Sequence, residues 1–317
     1  MNAPGVKTLS RLDARVPKWG DAALVTRKCP FCASDGTEQF ARPDGLHVRN
    51  CDRCGAFFVS PAPTEEQLTR FYAEYHKVHH RHVHSPREIR AHARTCDVRV
   101  AAIASMMRLS GKRILDVGFG QGENMVRFRN HGAAVSGVDL DPYAVETAAR
   151  NLGFTDVRQG GIDAVGGGER FDAITLHDLI EHPSRPMETL SMARDLLRPD
   201  GLISLWTPNA SPPFSEAEPT LFRVDLEHMQ YLTFKTCAHV AEALSLEIAH
   251  LEGLGEPCLE AIDRPRRHRP LRQALKRIAK HVPGATYVSR LRQAARAASR
   301  FSRAGRYHLF CILRRPP

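Results

Sequence analysis

Three sets of residues have the types and spacing to do chemistry. Cys29, Cys32, Cys51 and Cys54 follow C-x2-C-x18-C-x2-C, so that each knuckle offers two thiolates to one ion. Where thiols stay reduced, such a set implies structural zinc in a closed four-sulfur site, whose work is to fold the chain. Cys96, Cys237, Cys258 and Cys311 are scattered and read as core filler. The second set is Leu115-Asp116-Val117-Gly118-Phe119-Gly120-Gln121-Gly122, a strand-like run into a glycine-rich turn. Glycines there let backbone approach a ligand, and the helix that follows offers unpaired N–H groups. The spacing is G-x-G-x-G behind an acid. It is not the dinucleotide G-x-G-x-x-G, because Glu123 stands at the third glycine's place. Asp139 ends the next predicted strand, where an acid accepts from both ribose hydroxyls; its plainer reading is a turn aspartate before Pro142.

The third set is a pair of histidines. His182 lies in Glu181-His182-Pro183 and His228 in Asp225-Leu226-Glu227-His228-Met229-Gln230-Tyr231, both predicted beyond the carboxyl ends of strands. Substrate loops gather there in open α/β sheets. Imidazole titrates in the range needed to take a proton from an alcohol. His182 has a plainer reading as a helix-entry hydrogen bond, whereas a Glu-His pair in a proline-rich loop has little core to build. His76, His79, His80, His82, His84 and His92 could form a second metal site, but they show neither H-E-x-x-H nor a helical pairing with carboxylates, and the plainer reading is a solvated loop.

These groups need a scaffold, and 317 residues with 42% hydrophobic and 25% charged side chains suffice for about two domains. Residues 1–28 read as a flexible leader, 29–62 as a zinc ribbon and 63–110 as a helical connector in which Thr64 caps a helix carrying Leu68, Phe71 and Tyr72. A long helix is predicted from Pro86 to about Leu109. Strands are predicted at 113–117, 133–139, 154–158, 171–177, 201–207, 246–251 and 307–313. Helices are predicted at 122–131, 142–151, 183–197 and 233–244. Residues 111–317 therefore form an α/β unit, a doubly wound, mostly parallel, Rossmann-like sheet of seven strands with helices on both faces.

The net charge of +10 is uneven. Sixteen Lys and Arg and no acid fall between Arg264 and Pro317, leaving 29 basic and 35 acidic residues elsewhere. Two amphipathic basic helices, at 270–282 and 286–304, read as an insertion at about 264–305 before the last strand. Such a block suits an anionic partner, or simply a solvated helical pair over one sheet edge. The sequence shows no apolar run of membrane-spanning length and no apolar signal core at its start, so a cytoplasmic location is expected, peripheral at the inner membrane face if the basic block binds lipid.

The motif set resembles the class I S-adenosylmethionine-dependent methyltransferases. LDVGFGQG is similar to their first motif, GVDLD to their acidic second, FDAITLHDLIEH to the segment on the fourth strand, and LLRPDGLISLWTPN to the helix-turn-fifth-strand segment. The resemblance covers about residues 100–255. It implies that Gly118, Gly120 and Gly122 line the methionine and ribose part of S-adenosylmethionine, with Asp139 on the ribose and Asp116 orienting the loop near the amino group. In the family an acid after the third strand takes the adenine amine; here Gly161 stands at that place and Asp163 two residues later. Either Asp163 substitutes or backbone groups hold the adenine.

The stretch from Thr207 to Thr236, with the four-cysteine ribbon and Val59-Ser60-Pro61-Ala62-Pro63, is similar to bacterial methyltransferases of sugar and polysaccharide pathways. That resemblance implies active-site roles for Glu227, His228 and His182. Sugar C-methyltransferases of that type carry a tyrosine two residues before the Glu-His pair; Asp225 stands there instead, which favours O-methylation. Three functions follow from the sequence: methylation of a sugar, glycan or other small-molecule hydroxyl with His228 or His182 as base; RNA methylation with the basic helices on phosphates, disfavoured by their few aromatics; and a non-catalytic zinc adaptor, disfavoured by the intact glycine turn and Asp139.

Overall fold

The structure, a computed structural model, describes residues 6–13, 17, 19, 24–79, 86–211, 218–255 and 307–317. Between the two cysteine knuckles the chain makes a hairpin of β1 (Thr37–Ala41) and β2 (His47–Asn50), and β3 (Phe57–Val59) follows the second knuckle and pairs with β2. Thr64 accepts from the Gln67 amide N–H while the Gln67 side chain accepts from the Thr64 N–H, a reciprocal cap that starts α1 (Glu65–Ala73). Then come α2 (Tyr75–His79) and α3 (Pro86–Met106).

From there strand and helix alternate. The order is β4 (Arg113–Val117), α4 (Glu123–Asn130), β5 (Ala134–Asp139), α5 (Pro142–Arg150), β6 (Val157–Gln159), β7 (Phe171–His177), α6 (Pro186–Leu196), β8 (Leu197–Pro208), the short β9 (Gln230–Tyr231), α7 (Phe234–Ala243), β10 (Glu247–Leu254) and β11 (His308–Arg314). Seven of these strands form one sheet in the order β10-β11-β8-β7-β4-β5-β6, with β11 antiparallel to both neighbours. The predicted α/β class and seven-stranded sheet are therefore observed. Every residue of β7 is buried, as a central strand covered by helices on both faces requires. Helix α6 begins three residues later than predicted, because the Pro183 carbonyl is held by the Gln230 side chain and Pro186 supplies a ready-made first turn.

Two expectations change. The first concerns the ribbon boundary at residue 62. The other edge of β3 pairs with β9, so a strand from beyond the fifth sheet strand completes the ribbon sheet, β1-β2-β3-β9. Cys29, Phe31, Cys51, Cys54 and Phe58 share one apolar cluster with Leu176, Leu205 and Val240. Ribbon and α/β unit have a common core. The second concerns the leader. Its described residues are pinned rather than flexible: the Leu9 N–H donates to the carbonyl of Ala41 in β1, the Ala41 N–H donates to the Lys7 carbonyl, Val25 pairs with Ala62, and Leu9 is 4% exposed against Val48, Phe57 and Phe222.

Leu254 pairs with His308, and the Tyr307 N–H donates to the Gly255 carbonyl, so Gly255 and Tyr307 stand side by side at one end of the β10–β11 pair. The basic segment at about 264–305, its two expected helices and Cys258 lie outside the described residues. No helix among the described residues is long and apolar enough to cross a membrane.

Leu9→Ala separates a pinned leader from a loose one. Truncating a leucine in a packed site should cost about 2–5 kcal/mol, read as a lowered urea midpoint. An unchanged midpoint would return residues 6–13 to a flexible leader.

Candidate functional site

The glycine turn lies at the carboxyl end of β4. Gly118, Gly120 and Gly122 have φ of 69°, 53° and 73°, the left-handed region that side chains resist, and Gly122 is the N-cap of α4. A Cβ on Gly118 would meet Leu179 at 2.6 Å, while nothing lies within 4 Å of one on Gly120, which faces open space. Asp139, half-buried at the end of β5, accepts from the Gly120 N–H at 2.8 Å and the Asp141 N–H at 2.9 Å. The capping of α5 falls to Asp141, whose carboxylate accepts from the Tyr143 N–H. Asp139 thus makes the turn contact of its plainer reading and also faces the glycine turn. Burial pushes its carboxyl above the ordinary value.

Asp116 sits beneath the turn, 1% exposed. Its Oδ1 accepts from Thr175 Oγ1 at 2.6 Å, and its Oδ2 has no hydrogen-bond partner among the described residues. Burial pushes this carboxyl up to about 7. An orphaned buried carboxylate oxygen below an open, positive-φ turn is what a cationic, amino-bearing ligand would complete. Asp163 lies exposed in the Ile162–Ala164 turn after β6, and a Cβ on Gly161 would stand 2.7 Å from its Oδ1. The Asp163 carboxylate therefore fills the space a side chain at 161 would take.

The histidines meet as their loops predict. The His182 and His228 rings lie 4.8 Å apart, edge to face. Glu181, His182 and His228 bring one donor atom each within 4.8 Å of one another, a set able to hold a proton or a cation. Glu181 is 1% exposed, neither carboxyl oxygen has a hydrogen-bond partner among the described residues, and burial raises it well above the carboxylate range. Burial, and then the neighbouring His228, hold His182 well below the imidazole range and so neutral. Two groups here are not apparent from sequence spacing. Tyr72, assigned to the packing face of α1, shares a 2.5 Å hydrogen bond with His182 Nδ1; Tyr75 donates to Glu227 Oε1 at 3.3 Å. The next residue, His76, bonds both Asp141 carboxylate oxygens through its ring and its N–H, so it is a structural contact rather than part of a solvated loop. Residues 72–76 thereby link the histidine pair to the loop that bears Asp139.

The loop carrying Glu227 and His228 is held from both sides. The Met229 N–H donates to the Glu181 carbonyl, and the Gln230 side chain donates to the Ile180 and Pro183 carbonyls. From the ribbon, Arg42 donates to the His228 carbonyl at 2.5 Å, the Leu226 carbonyl at 2.7 Å and Tyr231 Oη at 3.0 Å. Its charge is balanced by Asp44, and both side chains are buried. Thr236 donates to the Cys54 carbonyl, tying α7 to the second knuckle.

The four ribbon cysteines have their sulfurs within 4.8 Å of one another, with Cys29–Cys54 and Cys32–Cys51 each at 3.4 Å. A disulfide needs about 2.0 Å, whereas two thiolates at ~2.3 Å from one tetrahedral ion stand about 3.8 Å apart. The donor set fits a single zinc-like ion.

A family model described as "Methyltransferase domain" matches residues 88–251, just over half of the chain. The chain belongs to that family, the class I S-adenosylmethionine-dependent methyltransferases. It is 35% identical over 118 residues to a ubiquinone biosynthesis O-methyltransferase of Cereibacter sphaeroides, a match covering 35% of this chain and 47% of that protein. It is 32% identical over 108 residues to the mitochondrial enzyme of that name from Schizosaccharomyces pombe, covering 31% and 38%. The chain thus spans about half or less of the length of these curated relatives. Among solved structures it is similar to the 1,6-didemethyltoxoflavin-N1-methyltransferase of Burkholderia thailandensis, at 16% identity and a TM-score of 0.48, covering 89% of this chain and 100% of that one.

Two outcomes follow from the buried charges. The folded protein keeps a proton on Asp116 between the ordinary value of 3.8 and about 7, where the unfolded chain has lost it. Stability of the ligand-free protein therefore falls as pH rises through that window. Asp116→Asn should be near neutral at pH 4 and stabilising at pH 8, by on the order of 4 kcal/mol; parallel pH curves for the two proteins would contradict this. Arg42→Gln leaves Asp44 buried without its cation and should cost about 3–5 kcal/mol, read by denaturant unfolding; a cost under about 1 kcal/mol, the ceiling for an exposed pair, would make the clasp irrelevant.

Proposed function

We propose that the protein transfers a methyl group from S-adenosylmethionine to a hydroxyl of a sugar, glycan or other small molecule. The observation that carries this reading is the convergence of Glu181, His182 and His228, with two tyrosine hydroxyls, at the loop whose Leu179 lies against Gly118 of the glycine turn. The relatives' naming as O-methyltransferases favours an oxygen acceptor.

S-adenosylmethionine supplies an electrophilic methyl on a sulfonium, so the protein's work is position and proton transfer. Gly118, Gly120 and Gly122 let the nucleoside lie against backbone. Asp139 exchanges its Gly120 and Asp141 contacts for the ribose hydroxyls, Asp116 Oδ2 takes the amino group, and Asp163 takes the adenine amine in place of an acid at 161. His228, braced by Arg42 and by the loop bonds to Glu181, accepts the proton of the acceptor hydroxyl. Glu227 and Tyr75 orient that hydroxyl, and neutral His182, bonded to Tyr72, stands as the second base. The ribbon cysteines hold structural zinc, which keeps Arg42 and β3 in place against the loop. The basic segment at about 264–305 meets an anionic surface, a membrane face or a lipid-linked acceptor.

The test uses labelled S-adenosylmethionine with a panel of hydroxylated small molecules and total RNA. Asp139→Ala should abolish cofactor binding by calorimetry without lowering the unfolding midpoint. His228→Ala should bind cofactor normally and lose turnover by about 10²–10⁴-fold, the usual worth of a positioned base. Unchanged rates would remove His228 from the chemistry. Label found in RNA and in no small molecule would replace the hydroxyl reading with an RNA-directed one.

A further inference from the structure

We infer that His92, Cys96 and Glu123 form a transition-metal site at the seam of α3 and α4, separate from the four-cysteine ribbon and independent of the methyltransferase reading. His92 and Cys96 are four residues apart on α3 and share a face. Glu123, the first residue of α4, reaches them from the facing helix. His92 Nε2 lies 3.0 Å from Glu123 Oε2 and 3.8 Å from Cys96 Sγ. All three donor atoms lie within 4.8 Å of one another.

Both neighbours face the same ring nitrogen. A Cys-His-acid relay needs them on opposite nitrogens, so this is not a nucleophile triad. One proton on Nε2 is shared poorly between two acceptors, whereas one cation at the common centre serves all three. Donors at ~2.0–2.3 Å from a tetrahedral ion stand about 3.3–3.8 Å apart; the Cys96–His92 spacing of 3.8 Å lies in that range, the His92–Glu123 spacing of 3.0 Å would open by a few tenths of an ångström on an ion, and the third pair lies within 4.8 Å. Thiolate, imidazole and carboxylate together suit zinc and its borderline first-row neighbours, not magnesium or calcium. Cys96 is buried, at 1% exposure, while the His92 and Glu123 side chains are 50% and 42% exposed. The soft ligand forms the base and the open side admits the ion and a water as fourth ligand. The nearby Arg127 guanidinium donates to Asp97, to the Ala93 carbonyl and to the Glu123 carbonyl, and so brings its own counter-charge. Glu123 directly follows Gly122, so an ion here ties α3 to the downstream end of the glycine turn.

The test is cobalt(II) titration of the full, folded chain with its ribbon ion left in place, with thiolate-to-cobalt absorption and total bound metal both measured. The wild type should take up one equivalent more than Cys96→Ser. His92→Gln and Glu123→Gln, at half-exposed positions that leave the fold intact, should weaken that equivalent roughly tenfold or more. The ribbon's equivalent should be the same in all four proteins. Equal stoichiometry and affinity across the four overturns the site.

Discussion

The loop that carries Glu227 and His228 depends on one guanidinium. Arg42 is fully buried, and a charge so placed is tolerable only when every donor finds a partner. Its partners are Asp44 on its own hairpin and the carbonyls of Leu226 and His228 on a loop nearly two hundred residues away. The ribbon cannot shift without stranding that charge, and the loop cannot shift without losing the donor that fixes the backbone on either side of Glu227. The pairing of β3 with β9 repeats the constraint in backbone hydrogen bonds. A small cysteine module thereby acts as a wall of the candidate site.

The second link is short. Within five residues of α1 and α2, Tyr72 reaches His182, Tyr75 reaches Glu227, and His76 reaches Asp141, whose N–H is held by Asp139. The histidine pair and, through Asp141, Asp139 are held by the junction of α1 and α2. Leu179, between the fourth-strand histidine and the Glu181–His182 pair, lies over Gly118. On the proposed reading, a nucleoside on the glycine turn and an acceptor at His228 share one cleft whose two halves are mechanically joined.

Much of this was legible in the sequence because it rests on local signals. Short, mostly apolar runs gave β4 and β7 their limits, and Thr64 marked a helix start by capping chemistry. The glycine spacing marked the turn after β4 against which Asp139 is held, and the loop positions of His182 and His228 anticipated that the two rings meet. What stayed hidden depends on contacts far apart along the chain. Arg42 reads as a surface arginine until the loop closes over it. Tyr72 sits on an apolar stripe where a phenol counts as packing, and only the placement of His182 reveals its hydroxyl's partner. The leader looked loose because its pairing with β1 leaves no periodic trace. His92 and Cys96 share a helix, but their third companion arrives from the next one.

The central claim is that cofactor groove and histidine pair are two halves of one cleft closed by the ribbon. The most direct measurement is a crystal structure with S-adenosylhomocysteine bound. The account predicts ribose hydroxyls on the Asp139 carboxylate, with Gly120 released from it, and the sulfur directed toward His228. A nucleoside bound away from the glycine turn, or a sulfur facing away from the two histidines, would contradict it.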